Sequence, residues 1–221
     1  LNRNPDKNKI LIVSGGFINE EFLKSLISKE GYSLIIAADR GLEALNRINV
    51  MPDFILGDFD SAGTDILSEY RNKSIPVITY PSHKDDTDTQ LALELALEQN
   101  PEVIDITGAT GNRLDHTMAN IGLLGMTLEK NVDARILDPN NKIYLKDNNF
   151  IIKKENQYGD FVSFLPFNGR VKGLKLKGFK YPLDGITLDA ASSLCISNEI
   201  MDDEAKIEFE EGILIVFETR D

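Results

Sequence analysis

Apolar and polar residues follow one another in two regimes along the chain. Up to Pro139, short apolar runs are each followed by apolar residues at helical spacing. Lys9–Val13 is such a run and ends in Ser14-Gly15-Gly16, a strand feeding a glycine turn. Phe17, Phe22, Leu23, Leu26 and Ile27 then recur on one helix face. Residues 33–38 form a second strand closed by Asp39-Arg40-Gly41, and Leu42, Leu45 and Ile48 predict a second helix. Phe54–Leu56 is a third strand. Ile66, Leu67 and Tyr70 predict a helix, residues 75–80 a strand, and Leu91, Leu95 and the alanines around them a long helix. Val103–Thr107, residues 114–128 and residues 134–137 read as strand, helix and strand. Alternation at this spacing implies βαβ units and a parallel sheet.

The pattern changes at Pro139-Asn140-Asn141. Beyond it the runs are short, alternating and broken by turn residues: Asn148-Asn149, Asn168-Gly169, Leu183-Asp184-Gly185 and Glu211-Gly212. Residues 161–165 and 213–217 read as strands, and no helical period is sustained. The expected fold class is α/β: an N-terminal parallel-sheet α/β domain over 1–139, then a small C-terminal antiparallel sandwich or barrel over 140–221.

Chemistry gathers where strands end. Phe54-Ile55-Leu56 empties into Gly57-Asp58-Phe59-Asp60-Ser61, and residues two apart in extended chain point to the same side. Two such carboxylates repel, and a hard divalent ion relieves that. The plain alternative is a turn or capping pair. A second acidic cluster, Asp85-Asp86-Thr87-Asp88, opens the helix of Leu91 and Leu95. Thr87 and Gln90 have capping-box spacing, which puts Asp88 in the first helical turn. One carboxylate there complements the helix dipole by about 0.3–1 kcal/mol; three within four positions exceed that need. With oxygen ligands and no His or Cys cluster, magnesium is the expected ion. After the strand at Val103–Thr107 comes Gly108-Ala109-Thr110-Gly111-Asn112-Arg113-Leu114-Asp115-His116. Glycines at a strand end let backbone amides approach phosphate, although this is neither a Walker A loop nor the dinucleotide fingerprint. Arg113 is the cation placed to meet phosphate. Asp115 can ligate metal, accept a proton or simply cap the helix. His83 and His116, without ligand-like partners, read as structural. In open parallel sheets, ligands bind beyond the carboxyl ends of the strands, where Gly15-Gly16, Asp39, Asp58 with Asp60, the Asp85 to Asp88 group and Gly108 all fall.

Composition narrows the partners. The 221 residues carry a net charge of −12, which argues against a nucleic-acid-binding surface while leaving a metal-assisted nucleotide substrate open. Cys195 is the single cysteine, so neither an intrachain disulfide nor a thiolate metal site can form. Leu1 to Lys9 is polar without the apolar core of a leader, and no run is long enough to span a bilayer. A soluble cytoplasmic protein is expected.

These motifs, in this order, resemble the thiamine pyrophosphokinase family. The resemblance runs through Pro52 to Ser61, Lys84 to Asp88 and Gly108 to His116. It continues at Gly178-Phe179-Lys180-Tyr181-Pro182-Leu183 and Ile196-Ser197-Asn198-Glu199. It implies an ATP/Mg-binding catalytic domain over 1–139 and a thiamine-binding β-sandwich over 140–221, in a homodimer with thiamine between subunits. ATP with Mg2+ would be the donor and AMP a product. By resemblance, Asp58, Asp60 and Asp88 are magnesium and polyphosphate residues, and Arg113 with Asp115 the phosphate-loop pair. Gly108, Gly111 and Thr87 fall among the nucleotide-binding positions, and Asp39, Tyr181, Ser197 and Asn198 at the thiamine end. Arg40 departs from the family, where Gly often follows that Asp, and Leu194-Cys195 precede Ile196 where Gly is common. Two other readings stand beside this one: a magnesium-dependent kinase or phosphohydrolase acting on another small alcohol or nucleotide, and a nucleotide- or thiamine-sensing module without turnover.

Overall fold

A computed structural model describes residues 8–57, 75–78 and 86–221 of the chain. Asp58, Asp60, Ser61, His83, Asp85 and the helix expected around Ile66, Leu67 and Tyr70 lie outside the described residues. The chain divides into two units, Leu1–Pro139 and Asn140–Asp221.

The first unit is a parallel sheet in the order β4-β3-β2-β1-β5-β6. Its strands are β1 Lys9–Val13, β2 Leu34–Ala38, β3 Phe54–Leu56, β4 Val77–Ile78, β5 Val103–Thr107 and β6 Asp133–Leu137. The helices are α1 Glu20–Glu30, α2 Gly41–Arg47, α3 Asp88–Glu98 and α4 Leu114–Glu129. Every residue of β1 is buried, as continuous apolar runs in a sheet covered on both faces require. Asn19 caps α1 by accepting from the Phe22 N–H at 2.9 Å, and Gly31 closes it at φ 65. Phe17 is not on that helix. It precedes the cap and stays 60% exposed.

The second unit is antiparallel. Its strands are β7 Asn141–Lys146, β8 Phe150–Lys153, β9 Phe161–Lys177, β10 Leu183–Leu188, β11 Glu204–Glu208 and β12 Glu211–Thr219. Their order is β7-β12-β9-β11-β8, with β10 also on β9. The early part of β9 pairs β12, and its later part serves β10 and β11. One 17-residue strand is therefore shared by both halves of a sandwich. Three of the expected turns are instead irregularities inside strands. Asn168 and Gly169 sit within β9 at φ 54 and 135. There the pairing jumps from Glu211 with Lys172 to Ile213 with Phe167. Gly185 (φ 74) lies within β10, and Gly212 (φ 110) within β12. Turn-type residues serve bulges as well as reversals, because both need positive φ. Phe164, Val171, Leu174, Leu176, Leu188, Ile207 and Leu214 form the fully buried centre of this unit's core, where the Phe164 and Phe179 rings meet edge to face at 5.8 Å. Among the described residues, no helix is long and apolar enough to cross a membrane.

Candidate active site

The chain leaves β1 toward β2 on one side and β5 toward β6 on the other. Loops that diverge from neighbouring strands leave a crevice at the carboxyl edge. A cavity of about 630 Å³ lies there, lined by residues 14–17 after β1, Asp39 and Arg40 after β2, residues 86–89 at the start of α3, residues 108–113 after β5, and His116, Thr117 and Asn120 on α4.

The two glycine loops interlock. Gly16 donates its N–H to the Gly108 carbonyl at 2.7 Å and Phe17 to that of Thr110 at 2.9 Å. A Cβ on Gly16 would stand 2.4 Å from the Gly108 oxygen, and one on Gly108, at φ +69, 2.3 Å from the Ser14 oxygen. Backbone meets backbone here, and no side chain fits between. A Cβ on Gly15 would likewise come 2.6 Å from Asp39 Oδ2. Asp39 itself sits at φ 49, held by its N–H to the Leu56 carbonyl at 2.9 Å.

Thr87 caps α3 by accepting from the Gln90 N–H at 3.3 Å. Half of the expected capping box forms, since the Gln90 side chain turns instead to Glu94 at 3.2 Å. Asp88 consequently occupies the first turn. The same turn is tied to β1 by a hydrogen bond between the buried hydroxyls of Ser14 and Thr89. On the opposite loop, Asn120 Nδ2 donates to the Ala109 carbonyl at 2.8 Å, and Thr110 Oγ1 to Asp138 Oδ2 at 2.8 Å.

Arg113, at the N-cap position of α4, clamps Asp115 in two contacts, Nη2 to Oδ2 at 2.5 Å and Nε to Oδ1 at 3.2 Å. Asp115 lies one residue inside the helix and is no plain N-cap. The hydrogen bond from Arg113 holds its carboxyl down at about 2, and the same bond raises the Arg113 guanidinium above its ordinary range. A carboxylate of that acidity is a poor acceptor for a proton at neutral pH.

Of the residues predicted from sequence, Asp39, Thr87, Asp88, Gly108, Gly111 and Arg113 line this one cavity. Arg113 is not its only cation, because Arg40 lines it too. Tyr181, Ser197 and Asn198 belong to the second unit. Tyr181 is 60% exposed. Asn198 is buried, bonding the Tyr181 and Glu199 N–H groups through Oδ1 and the Tyr181 carbonyl through Nδ2. Ser197, at φ 55, donates its backbone N–H to Ser163 Oγ at 2.9 Å. Among the described residues, no group of three His, Cys, Asp or Glu side chains converges tightly enough to hold a metal. Sequence reasoning missed Thr89 and Asn120. Their signal was a polar residue on a buried helix face, Thr89 in line with Leu93 and Ala96, and Asn120 with Leu124 and Thr127.

Comparison with known proteins accounts for this assembly. Residues 24–136 match the model of the thiamin pyrophosphokinase catalytic domain, and residues 148–214 that of the thiamin pyrophosphokinase vitamin B1 binding domain. The chain belongs to the thiamin pyrophosphokinase family. A thiamine pyrophosphokinase of Bacillus subtilis is 36% identical over 191 residues, 86% of this chain and 89% of the relative. The crystal structure of the Bacillus subtilis enzyme superposes with a TM-score of 0.86 at 34% identity, over 96% of this chain and 99% of that one. A family structure from Geobacillus thermodenitrificans superposes at 0.83 with 30% identity, over 96% and 98%. Each family model falls within one of the two units.

Proposed function

We propose that the cavity between β1 and β5 receives the triphosphate of ATP for the family's reaction, in which pyrophosphate passes to thiamine. The thiamine hydroxyl oxygen attacks the β-phosphorus, the bond from that phosphorus to the α-phosphate bridging oxygen breaks, AMP leaves, and thiamine diphosphate forms. Positioning and charge stabilisation carry most of such a transfer. The Gly108 to Gly111 loop offers backbone amides to phosphate, and Arg113 stabilises charge on the group in transit. Asp115 keeps the Arg113 fork oriented. Asp115 is held too acidic to accept the hydroxyl proton readily. Asp39 in the first unit, and Tyr181, Ser197 and Asn198 in the second, are assigned to thiamine.

The cavity's described acidic side chains, Asp39, Asp86 and Asp88, offer the oxygen atoms a hard cation takes but do not by themselves converge on one point. Magnesium would be held by Asp88 together with Asp58 and Asp60. When bound, it supplies charge neutralisation along the phosphates. The observation carrying this reading is that loops from four strand ends put acidic and basic side chains around one cavity at the reversal of strand order. The chain is further read, from its family resemblance, as a cytoplasmic homodimer with thiamine at the subunit interface; the exposure of Leu194, Ile196 and Met201 on the second unit leaves apolar surface for such a contact. Sedimentation should then give the mass of two chains.

Incubation with ATP, thiamine and magnesium followed by mass analysis should yield AMP and thiamine diphosphate in equal amounts. ADP or free phosphate instead would mark a kinase or hydrolase. Binding without turnover would mark a sensor. Asp58→Asn should abolish AMP release, and wild-type release by that variant would refute the metal assignment.

A further inference from the structure

The Phe17 side chain stands outside the packed core of its unit. It lines the cavity, yet it is 60% exposed. It belongs neither to the core nor, among the described residues, to any aromatic pair. An exposed Phe on an ordinary loop would be unremarked, but this one is fixed. Its N–H is bonded to the Thr110 carbonyl at 2.9 Å, and its neighbour Gly16 to that of Gly108 at 2.7 Å. Gly111, at φ +157, has room for that closeness, since a Cβ there would lie 3.3 Å from the Phe17 nitrogen and 3.7 Å from its Cβ. The aromatic side chain is thus carried at the cavity by the loop after β1, fastened to the Gly108 to Gly111 loop assigned above to the phosphates.

We infer that Phe17 is a specificity-determining residue whose ring stacks on a planar heteroaromatic ring of a substrate held in this cavity. The inference rests on the proposed reaction, in which both reactants have such a ring: the purine of ATP, and the pyrimidine and cationic thiazolium of thiamine. Stacking needs a preformed aromatic face that is wet in the free protein and covered in the complex. A thiazolium over the ring would add a cation–π attraction. Phosphate contacts alone cannot tell a nucleotide from inorganic polyphosphate, so a stacking residue gives the site a preference for a ring-bearing substrate that its glycine loops do not.

The chain contains no tryptophan, so Phe17→Trp introduces a single fluorophore at this position. Its emission, excited where tyrosine does not absorb, is followed while ATP, thiamine or inorganic tripolyphosphate is added separately with magnesium. Saturable quenching or a spectral shift with ATP or with thiamine, and none with tripolyphosphate, is expected, and the responding ligand identifies the ring. Phe17→Ala should raise the KM of that same substrate by about tenfold with kcat changed far less, and Phe17→Tyr should restore it. A flat emission trace with both organic ligands, or unchanged KM values for Phe17→Ala, would overturn the inference. So would equal quenching by tripolyphosphate. Wild-type formation of AMP and thiamine diphosphate tests the reaction separately, so the stacking role can fail while the reaction stands.

Discussion

Arg113 and Asp115 are both exposed, and exposed ion pairs contribute little to stability. Their geometry matters for another reason. Two donors of a planar guanidinium meet two oxygens of one carboxylate, which fixes the fork's direction at the helix start. Asp115 is depressed from its ordinary carboxylate range to about 2, chiefly by the Arg113 hydrogen bond. A depressed acid contributes fully above its unfolded pKa, and that contribution is lost as pH falls through the folded one. The pair should therefore stay intact at neutral pH and loosen only as pH drops toward about 2. The Asp115 side-chain carbonyl resonance should titrate with that midpoint. Asp115→Asn should lower kcat without moving the pH at which activity declines on the acid side. A shift of that limb in the variant would show that Asp115 itself takes the proton.

At the scale of elements, two loops and one helix end depend on each other. The glycines at 16 and 108 were legible as turn residues after strands, but not as partners, because loops 92 residues apart meet only when β1 and β5 pair. Gly16→Ala would drive a Cβ to within 2.4 Å of the Gly108 carbonyl oxygen. Since backbone must move to relieve it, a loss of about 1–3 kcal/mol is expected, measurable by urea unfolding. Catalysis should fall further than stability, because the displaced groups are those offered to phosphate. Helix α3 shows the complementary case. Its start was readable from Thr87 and Gln90, since a cap is a local bond. The anchoring of that start to Ser14 through Thr89 was not readable, since that bond is tertiary. The Asn168-Gly169 bulge makes the same point in the second unit. Its composition announced positive φ, while the pairing around it decided between a turn and a kink in β9.

At the scale of the molecule, the first unit carries a charged knot inside its sheet. Asp105 in β5 is completely buried. It accepts from Arg135 Nε at 2.7 Å and Nη2 at 2.9 Å and from the Tyr32 hydroxyl at 2.6 Å, and Lys9 Nζ stands 3.1 Å away. Removing one partner of a buried pair strands the others. Asp105→Asn should therefore destabilise the unit by about 3–5 kcal/mol, read from thermal or urea unfolding. Burial, and after it the charge of Asp105, raises the Tyr32 phenol far above its usual value. A raised group contributes fully below its unfolded pKa and loses that contribution as pH rises beyond it. Stability should hold to about pH 10 and then fall, and Tyr32→Phe should flatten that alkaline limb.

Periodicity, caps and strand-end chemistry are local properties, and the sequence by itself determined them. They gave the α/β then antiparallel order of elements, the start of α3, and the candidate residues at the carboxyl ends of strands. Ordered motifs gave the family. Tertiary structure alone decided that Gly16 lies against Gly108, that Ser14 holds Thr89, that Arg40 joins Arg113 at one cavity, and that Phe17 leaves its helix for the cavity. The reason is physical. A hydrogen bond or steric limit between neighbours in sequence is encoded where it acts, whereas one between distant loops exists only after the strands beneath them have paired in register.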